Sequence, residues 1–538
     1  MSSPRTRWFG LVFISIAVAL IIVDSTIVNV AIPSIVDDLG ISSTEVQWVQ
    51  ESYTLVFASL LLVFGTLADR IGRKRMLLIG VTIFALASIA AALAPTGGVL
   101  IATRVVQGVG GAMVLPTTLS LINATFRGKE RAIAFAVWGS TIGGMTALGP
   151  LLGGYLTTYA SWRWAFGINI PLGILIVIGV VVTVKESRGS GQTRVDLVGA
   201  LLSVITFAAL VFGLIEGRTF GWWRAEDGLA FGDWVWPFWL SPIPLAFVVS
   251  AVAGFLFVWS ERRKERAGKP TMLSVGLFGI PSFRNGNIAA LIVSLGEFGI
   301  ILSLPLWLQN VIGYSALQTG LVLLALAIGS FVASGFAGAF GNKVAAVTIV
   351  RVGLAAEIVG VAGLGFVIGV DTSWAALVPF LFVYGFGVGL ATAQLTGVVL
   401  RDVPVERSGQ GSGTQSTARQ VGSALGIAIL GTILFTSTGG ILGGKLDDAG
   451  VPAEQRDQVV SAVVDSAGSA LPGLANNPRT AAIADDAREA FSEGTKFSAF
   501  AAAGFLTLGF IATLSLGSGR PARERDDVSS PGSSSREP

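Results

Sequence analysis

Gly65-Thr66-Leu67-Ala68-Asp69-Arg70-Ile71-Gly72-Arg73-Lys74-Arg75 is a short, charged, glycine-bearing turn between two apolar runs, residues 47–68 and 76–94. A helix needs roughly 20 apolar residues to cross a hydrocarbon core, and each run supplies about that many. Glycine permits both a tight turn and close approach of neighbouring helices. Four basic residues stand here against one acid, and basic residues collect on loops at the cytoplasmic side of a membrane. The stretch therefore reads as the tight cytoplasmic connection between two spanning helices.

The same pattern recurs outward from this turn. Apolar windows fall at residues 8–30, 47–68, 76–94, 99–122, 132–157, 164–184, 195–215, 236–259, 286–308, 317–340, 346–368, 375–395, 411–435 and 497–516, which predicts an all-α polytopic membrane protein of about fourteen spans. Of 538 residues, 52% are hydrophobic and only 13% charged, against roughly a quarter charged in a soluble protein. So much apolar surface needs a bilayer as its solvent. Arg5 and Arg7 precede an apolar run too long for a cleaved leader, so the first window is expected to be a retained span.

The basic residues set the orientation. Even-numbered connections carry Arg70–Arg75, then Arg127, Lys129 and Arg131, then Lys185, Arg188 and Arg194, then Arg262, Arg263, Lys264, Arg266 and Lys269, then Lys343, then Arg401 and Arg407. Short odd-numbered connections hold only Arg163, Arg218 and Arg224. Both termini are therefore expected in the cytoplasm, and the residue usage, rich in Arg, Ala, Gly and Val, points to a bacterial cell (inner) membrane. The connection 436–496 also carries basic residues, but long translocated loops escape the rule, so it is read as an outer loop. The Ser-, Pro- and charge-rich segment 520–538 is expected to be a disordered tail.

An internal repeat is visible. Gly108-Val109-Gly110 resembles Gly385-Phe386-Gly387, and Ala147-Leu148-Gly149 matches Ala424-Leu425-Gly426, both 277 residues apart. That offset is about eight spans. It predicts two six-helix bundles, residues 1–190 and 271–519, with two inserted helices and a linker at 191–270 between them.

The turn at 65–75 resembles the conserved cytoplasmic loop of the major facilitator superfamily. Asp24-Ser25-Thr26-Ile27-Val28-Asn29-Val30-Ala31-Ile32-Pro33, Arg104-Val105-Val106-Gln107-Gly108 and the run Gly149-Pro150-Leu151-Leu152-Gly153-Gly154 resemble motifs of its fourteen-helix drug:proton antiporter branch. Arg419-Gln420-Val421-Gly422-Ser423-Ala424-Leu425-Gly426 fits as well, whereas the second-half copy of the turn, near 338–343, is degraded. The resemblance implies that Asp69, Arg70, Gly72 and Arg73 gate one conformation across the bundle interface. It implies that Gly149, Pro150, Gly153 and Gly154 let the fifth span bend and pack closely.

With no histidine and no cysteine, a proton carried near neutral pH must ride on Asp or Glu. Ionisable groups inside a span are costly and are functional candidates. Asp24 and Arg104 fall at similar depth on oppositely running spans and are expected to pair. Glu297 and Glu357 fall near the middle of the ninth and eleventh spans, where a proton and a cationic substrate could compete for one carboxylate. Glu51 and Glu216, near outer ends of spans, are expected to be solvated. Trp138, Phe298, Trp307 and Tyr384 are candidates to line a cavity for planar apolar compounds or cations.

No phosphate loop and no metal-protease motif is present, which argues against an enzyme or an ATP-driven pump. The expected function is proton-coupled antiport exporting lipophilic, often cationic, compounds. Export of an endogenous lipid, siderophore or self-made antibiotic by the same mechanism is the alternative. No cofactor beyond the proton gradient, no nucleic acid and a monomeric state are expected.

Overall fold

The computed structural model of the chain describes residues 4–41, 43–189, 196–217, 219–225, 230–231, 234–340, 344–476 and 480–517. Arg194, Arg218, Lys343, Arg479 and the tail 520–538 lie outside the described residues. The helices are α1 (Pro4–Leu39), α2 (Ser43–Ile71), α3 (Arg73–Ala92), α4 (Gly97–Thr125), α5 (Gly128–Tyr159), α6 (Trp164–Gly167), α7 (Asn169–Thr183), α8 (Leu197–Glu216), α9 (Pro242–Arg266), α10 (Pro281–Asn310), α11 (Ala316–Phe340), α12 (Ala346–Val367), α13 (Trp374–Val399), α14 (Ser408–Asp448), α15 (Ala453–Asp465), α16 (Leu471–Ala475) and α17 (Ala481–Thr513). One small antiparallel hairpin, β1 (Ala230–Phe231) with β2 (Trp234–Val235), lies between α8 and α9.

Twelve helices among the described residues are long and apolar enough to cross a membrane, with α6 and α7 read as one. A thirteenth is α5, bent by 41° between Gly128–Met145 and Leu148–Thr157, and α11 contains the shorter apolar helix Leu317–Ala333. These fourteen coincide with the fourteen apolar windows of the sequence. The bend in α5 has a local cause. Pro150 lacks the N–H that would close the preceding turn, and its ring crowds that turn.

The repeat reappears in the packing. A Cβ on Gly108 would strike the Tyr53 carbonyl of α2, and one on Gly110 would strike the Gly80 carbonyl of α3. In the second half, Gly385 meets the Leu326 carbonyl of α11, and Gly387 meets the backbone of Gly353 and Glu357 on α12. Gly149 of α5 lies against Thr26 of α1, and Gly426 of α14 lies against the Leu295 carbonyl of α10. Equivalent glycines thus seat equivalent helices, the close approach that a missing side chain allows in lipid. Between the halves in sequence, α8 packs on α9, on α2 of the first bundle and on α14 of the second.

The connection 436–496 is not a loop. α14 runs on to Asp448, α15 and α16 follow, and α17 begins at Ala481. Leu442, Leu446, Val463, Leu471 and Phe491 join Leu304, Trp307 and Leu308 of α10 in one buried cluster. Asn310 donates to the Ala467 carbonyl at 3.0 Å and Arg488 to the Val311 carbonyl at 2.9 Å. The segment is a helical cap docked on that end of α10.

Candidate functional site

Two buried charge constellations lie inside the bundles, and one closes an end. The first joins α1 to α4. Arg104 donates to Asp24 at 2.5 Å, and neither side chain is exposed at all. Asn169 and Gln107 donate to the other Asp24 oxygen at 2.7 and 3.3 Å, and both also donate to Ser88. Arg104 further donates to the Val49 carbonyl and to Gln107, with its guanidinium 4.3 Å over the Tyr53 ring. The pairing expected from depth is present, but within a five-residue network that sequence reasoning did not assemble. Asn169 and Gln107 are 62 residues apart and carry no charge to advertise them.

The second constellation faces a cavity between the bundles. Glu297, Phe298 and Ile301 of α10, Leu326 of α11, Tyr384, Val388 and Thr392 of α13, and Arg419 of α14 line it, with Ile142 and Gly143 of α5 from the first bundle. Glu297 accepts from Thr392 Oγ1 at 2.8 Å and lies 3.7 Å from Arg419. The Tyr384 hydroxyl donates to the Glu297 carbonyl at 3.1 Å. Arg419 was legible as an arginine inside an apolar run, the same signal that singled out Arg104, yet it stood only as part of a motif.

Glu357 lies behind this wall, on α12 against Gly387. It is fully buried, and neither carboxyl oxygen has a hydrogen-bond partner among the described residues. An ionised carboxylate there would bear the cost of its own desolvation with no hydrogen bond to offset it. Phe298 and Tyr384 line the cavity; Trp138 and Trp307 do not. Trp138 donates to Thr118 inside the first bundle, and Trp307 donates to Ser492 beneath the helical cap.

Glu216 is not solvated as expected. It is only 3% exposed, and its carboxyl is in hydrogen-bonding contact with that of Glu51 across the α2–α8 interface.

The turn at 65–75 closes the basic end. Arg73 donates to Asp69 at 2.9 and 2.6 Å and to the Val405 carbonyl at 2.7 Å. The other Asp69 oxygen accepts from the Gly409 and Gln410 N–H groups, at 2.7 and 3.3 Å. Those N–H groups form the start of α14, where the helix dipole favours an anion. Gly65 lies so close to Gly409 and Gly413 that a Cβ there would overlap the α14 backbone. Gly72 adopts φ +118, and Glu186 covers the N–H groups of Lys74 and Arg75 beside it. Arg70 reaches the Thr271 carbonyl at 3.4 Å. Asn123 adds a hydrogen bond to Ser408 at 2.8 Å. On α5, Gly153 and Gly154 are buried and their carbonyls accept from Thr157.

The sequence matches the Major Facilitator Superfamily family profile over residues 14–222 and 192–427. It is 33% identical to the multidrug efflux pump LfrA of Mycolicibacterium smegmatis over 505 residues, covering 93% of this chain and 94% of that one. It is equally identical, over 464 residues, to the multidrug resistance protein Stp of Mycobacterium tuberculosis, covering 86% and 82%. The puromycin resistance protein of Streptomyces alboniger is 33% identical over 472 residues, covering 85% and 87%. The solved proton:xylose symporter XylE superposes with a TM-score of 0.60 at 12% identity, over 95% of each chain. Matched along most of its length by a family profile, by relatives of one kind and by a common fold, the chain belongs to the major facilitator superfamily, in its drug:proton antiporter branch.

Proposed function

We propose that this multi-pass membrane protein exports lipophilic, often cationic, compounds across the bacterial cell (inner) membrane in exchange for protons, with both termini in the cytoplasm. The observation that carries the reading is Glu297, a carboxylate at the wall of the cavity between the bundles, 3.7 Å from Arg419 and surrounded by Phe298, Tyr384 and apolar side chains. The cavity measures only about 20 Å³ in this closed conformation, and once the bundles part, a cation entering it offers Glu297 a second partner beside aromatic faces that favour it. A proton arriving from the other side competes for the same oxygens, and that competition couples the two fluxes. Asp69, Arg73, Gly65 and Asn123 hold the cytoplasmic end shut in this conformation, and alternate access follows from their release.

Everted membrane vesicles carrying an imposed proton gradient test this reading. Ethidium-like cations are expected to release protons through the parent, and Glu297→Gln is expected to abolish the release. A folded parent that releases none in response to any such cation would overturn cationic drugs as substrates. The names of two Streptomyces relatives, a puromycin resistance protein and a tetracenomycin C resistance and export protein, give the alternative of antibiotic export its support.

A further inference from the structure

The last two turns of α9 divide their charges between two faces. Glu261, Lys264 and Glu265 turn inward. Glu261 accepts from the N–H groups of Met272 and Leu273 at 2.6 and 3.0 Å. Lys264 donates to Asp196 at 2.8 and 2.6 Å, and Glu265 accepts from Ser274 and Gly276. Both acids of these turns are thereby engaged with the linker after α9. Trp259, Arg262, Arg263 and Arg266, at i, i+3, i+4 and i+7, share the opposite, exposed face. None of the three arginines has an acidic partner among the described residues.

These four side chains and Ala267 line a recess of about 560 Å³, a volume inside the roughly 300–1,000 Å³ span of small-ligand sites. The Arg263 guanidinium stands 5.5 Å from the Trp259 ring centre, which orders it. Upstream on the same face, Leu245, Val248, Val252 and Phe255 are between 53% and 70% exposed. Among the described residues α9 packs on α8 and on the short turn Val275–Gly279, so this stripe faces lipid. An acyl-length apolar stripe therefore ends in an indole at the interface and then in three free guanidinium groups.

We propose that this face binds an anionic phospholipid, its acyl chain along the apolar stripe and its phosphodiester held by Arg262, Arg263 and Arg266. Guanidinium forks match phosphate oxygens in a way that point charges do not, and basic pockets at helix ends are suited to anionic headgroups. A scattered set of loop charges would meet the orientation rule equally well. It would not need the arginines gathered on the lipid-facing side while every neighbouring acid turns away.

The test is lipid retention by the purified full chain in native mass spectrometry, using phosphatidylglycerol, phosphatidylcholine and inorganic phosphate as probes. The parent is expected to retain phosphatidylglycerol at least about tenfold better than phosphatidylcholine, given the contribution of each basic side chain at a membrane surface. R262Q/R263Q/R266Q is expected to lose that preference. R127Q/K129Q/K185Q, which removes equal charge at the same end of the molecule, is expected to keep it. If the triple variant does not fold, R262Q, R263Q and R266Q singly are each expected to lower the preference about fivefold. No preference in the parent, its persistence in the arginine variants, or its equal loss in the control would overturn the proposal. Full displacement of the lipid by inorganic phosphate would overturn it too, marking the recess as a site for free anions.

Discussion

The two buried acid–arginine pairs look alike in sequence and differ in what surrounds them. Asp24 is saturated by Arg104, Asn169 and Gln107, whereas Glu297 has one short hydrogen bond and a longer ion pair at a cavity wall. Asp24→Asn strands Arg104 without exposure to water, a change that costs about 3–5 kcal/mol in a soluble core. A large fall in melting temperature is expected, partly recovered in the double variant Asp24→Asn/Arg104→Gln, where no unpaired charge remains. Glu297→Gln is expected to melt close to the parent, yet to lose substrate-evoked proton movement. Equal melting losses at both sites would contradict the division of roles. The depth of Asp24 and Arg104 was legible because each interrupts an apolar run at a countable distance from its end. The partnership of Glu297 and Arg419 was not, because helices 122 residues apart in sequence meet only through the bundle.

At the scale of elements, apolar length carried most of the information. All fourteen windows became helices because a bilayer leaves the backbone of a span no other way to satisfy itself. The windows failed where that constraint ends. Beyond 435, α14 continues through Thr-, Gly- and Lys-bearing sequence that reads as loop, and its helicity comes from burial of Leu442 and Leu446 against α10 and the cap. At the opposite margin α8 begins with Asp196, which caps the Gly199 N–H at 2.8 Å and receives Lys264 of α9. Burial pushes the Asp196 carboxyl up, but the hydrogen bonds from Lys264 and Gly199 outweigh it and hold it below its ordinary 3.8. A depressed carboxylate stabilises at every pH above its unfolded value and loses that contribution only as pH falls through the folded one. The contribution of Asp196 to the clamp between α8 and α9 is therefore expected to be indifferent to pH between about 6 and 8. Asp196→Ala is expected to lower stability by about 1 kcal/mol through the lost cap. Chemical denaturation of the parent and the variant at two pH values in that range would check both, and a strong change with pH in the difference between the two proteins would refute the assignment.

Across the whole molecule, the conformation is defined by what joins the bundles at the basic end. Asp69 on the start of α14, Gly65 against Gly413, and Asn123 on Ser408 all tie the first bundle to the second, in the same quarter of the structure. Each contact crosses more than 250 residues of chain, and none can persist if the bundles rock apart there. The chain has no cysteine, so a pair introduced as Asn123→Cys/Ser408→Cys has no competing thiol. A short thiol cross-linker is expected to join the pair in the resting protein, to arrest transport while in place, and to restore it on reductive cleavage. Because 2.8 Å separates the native side-chain atoms, failure to cross-link would mean that the resting state is open at this end. Complete cross-linking with undiminished transport would mean that substrate crosses without separation of the bundles here, and alternating access by rocking would have to be given up.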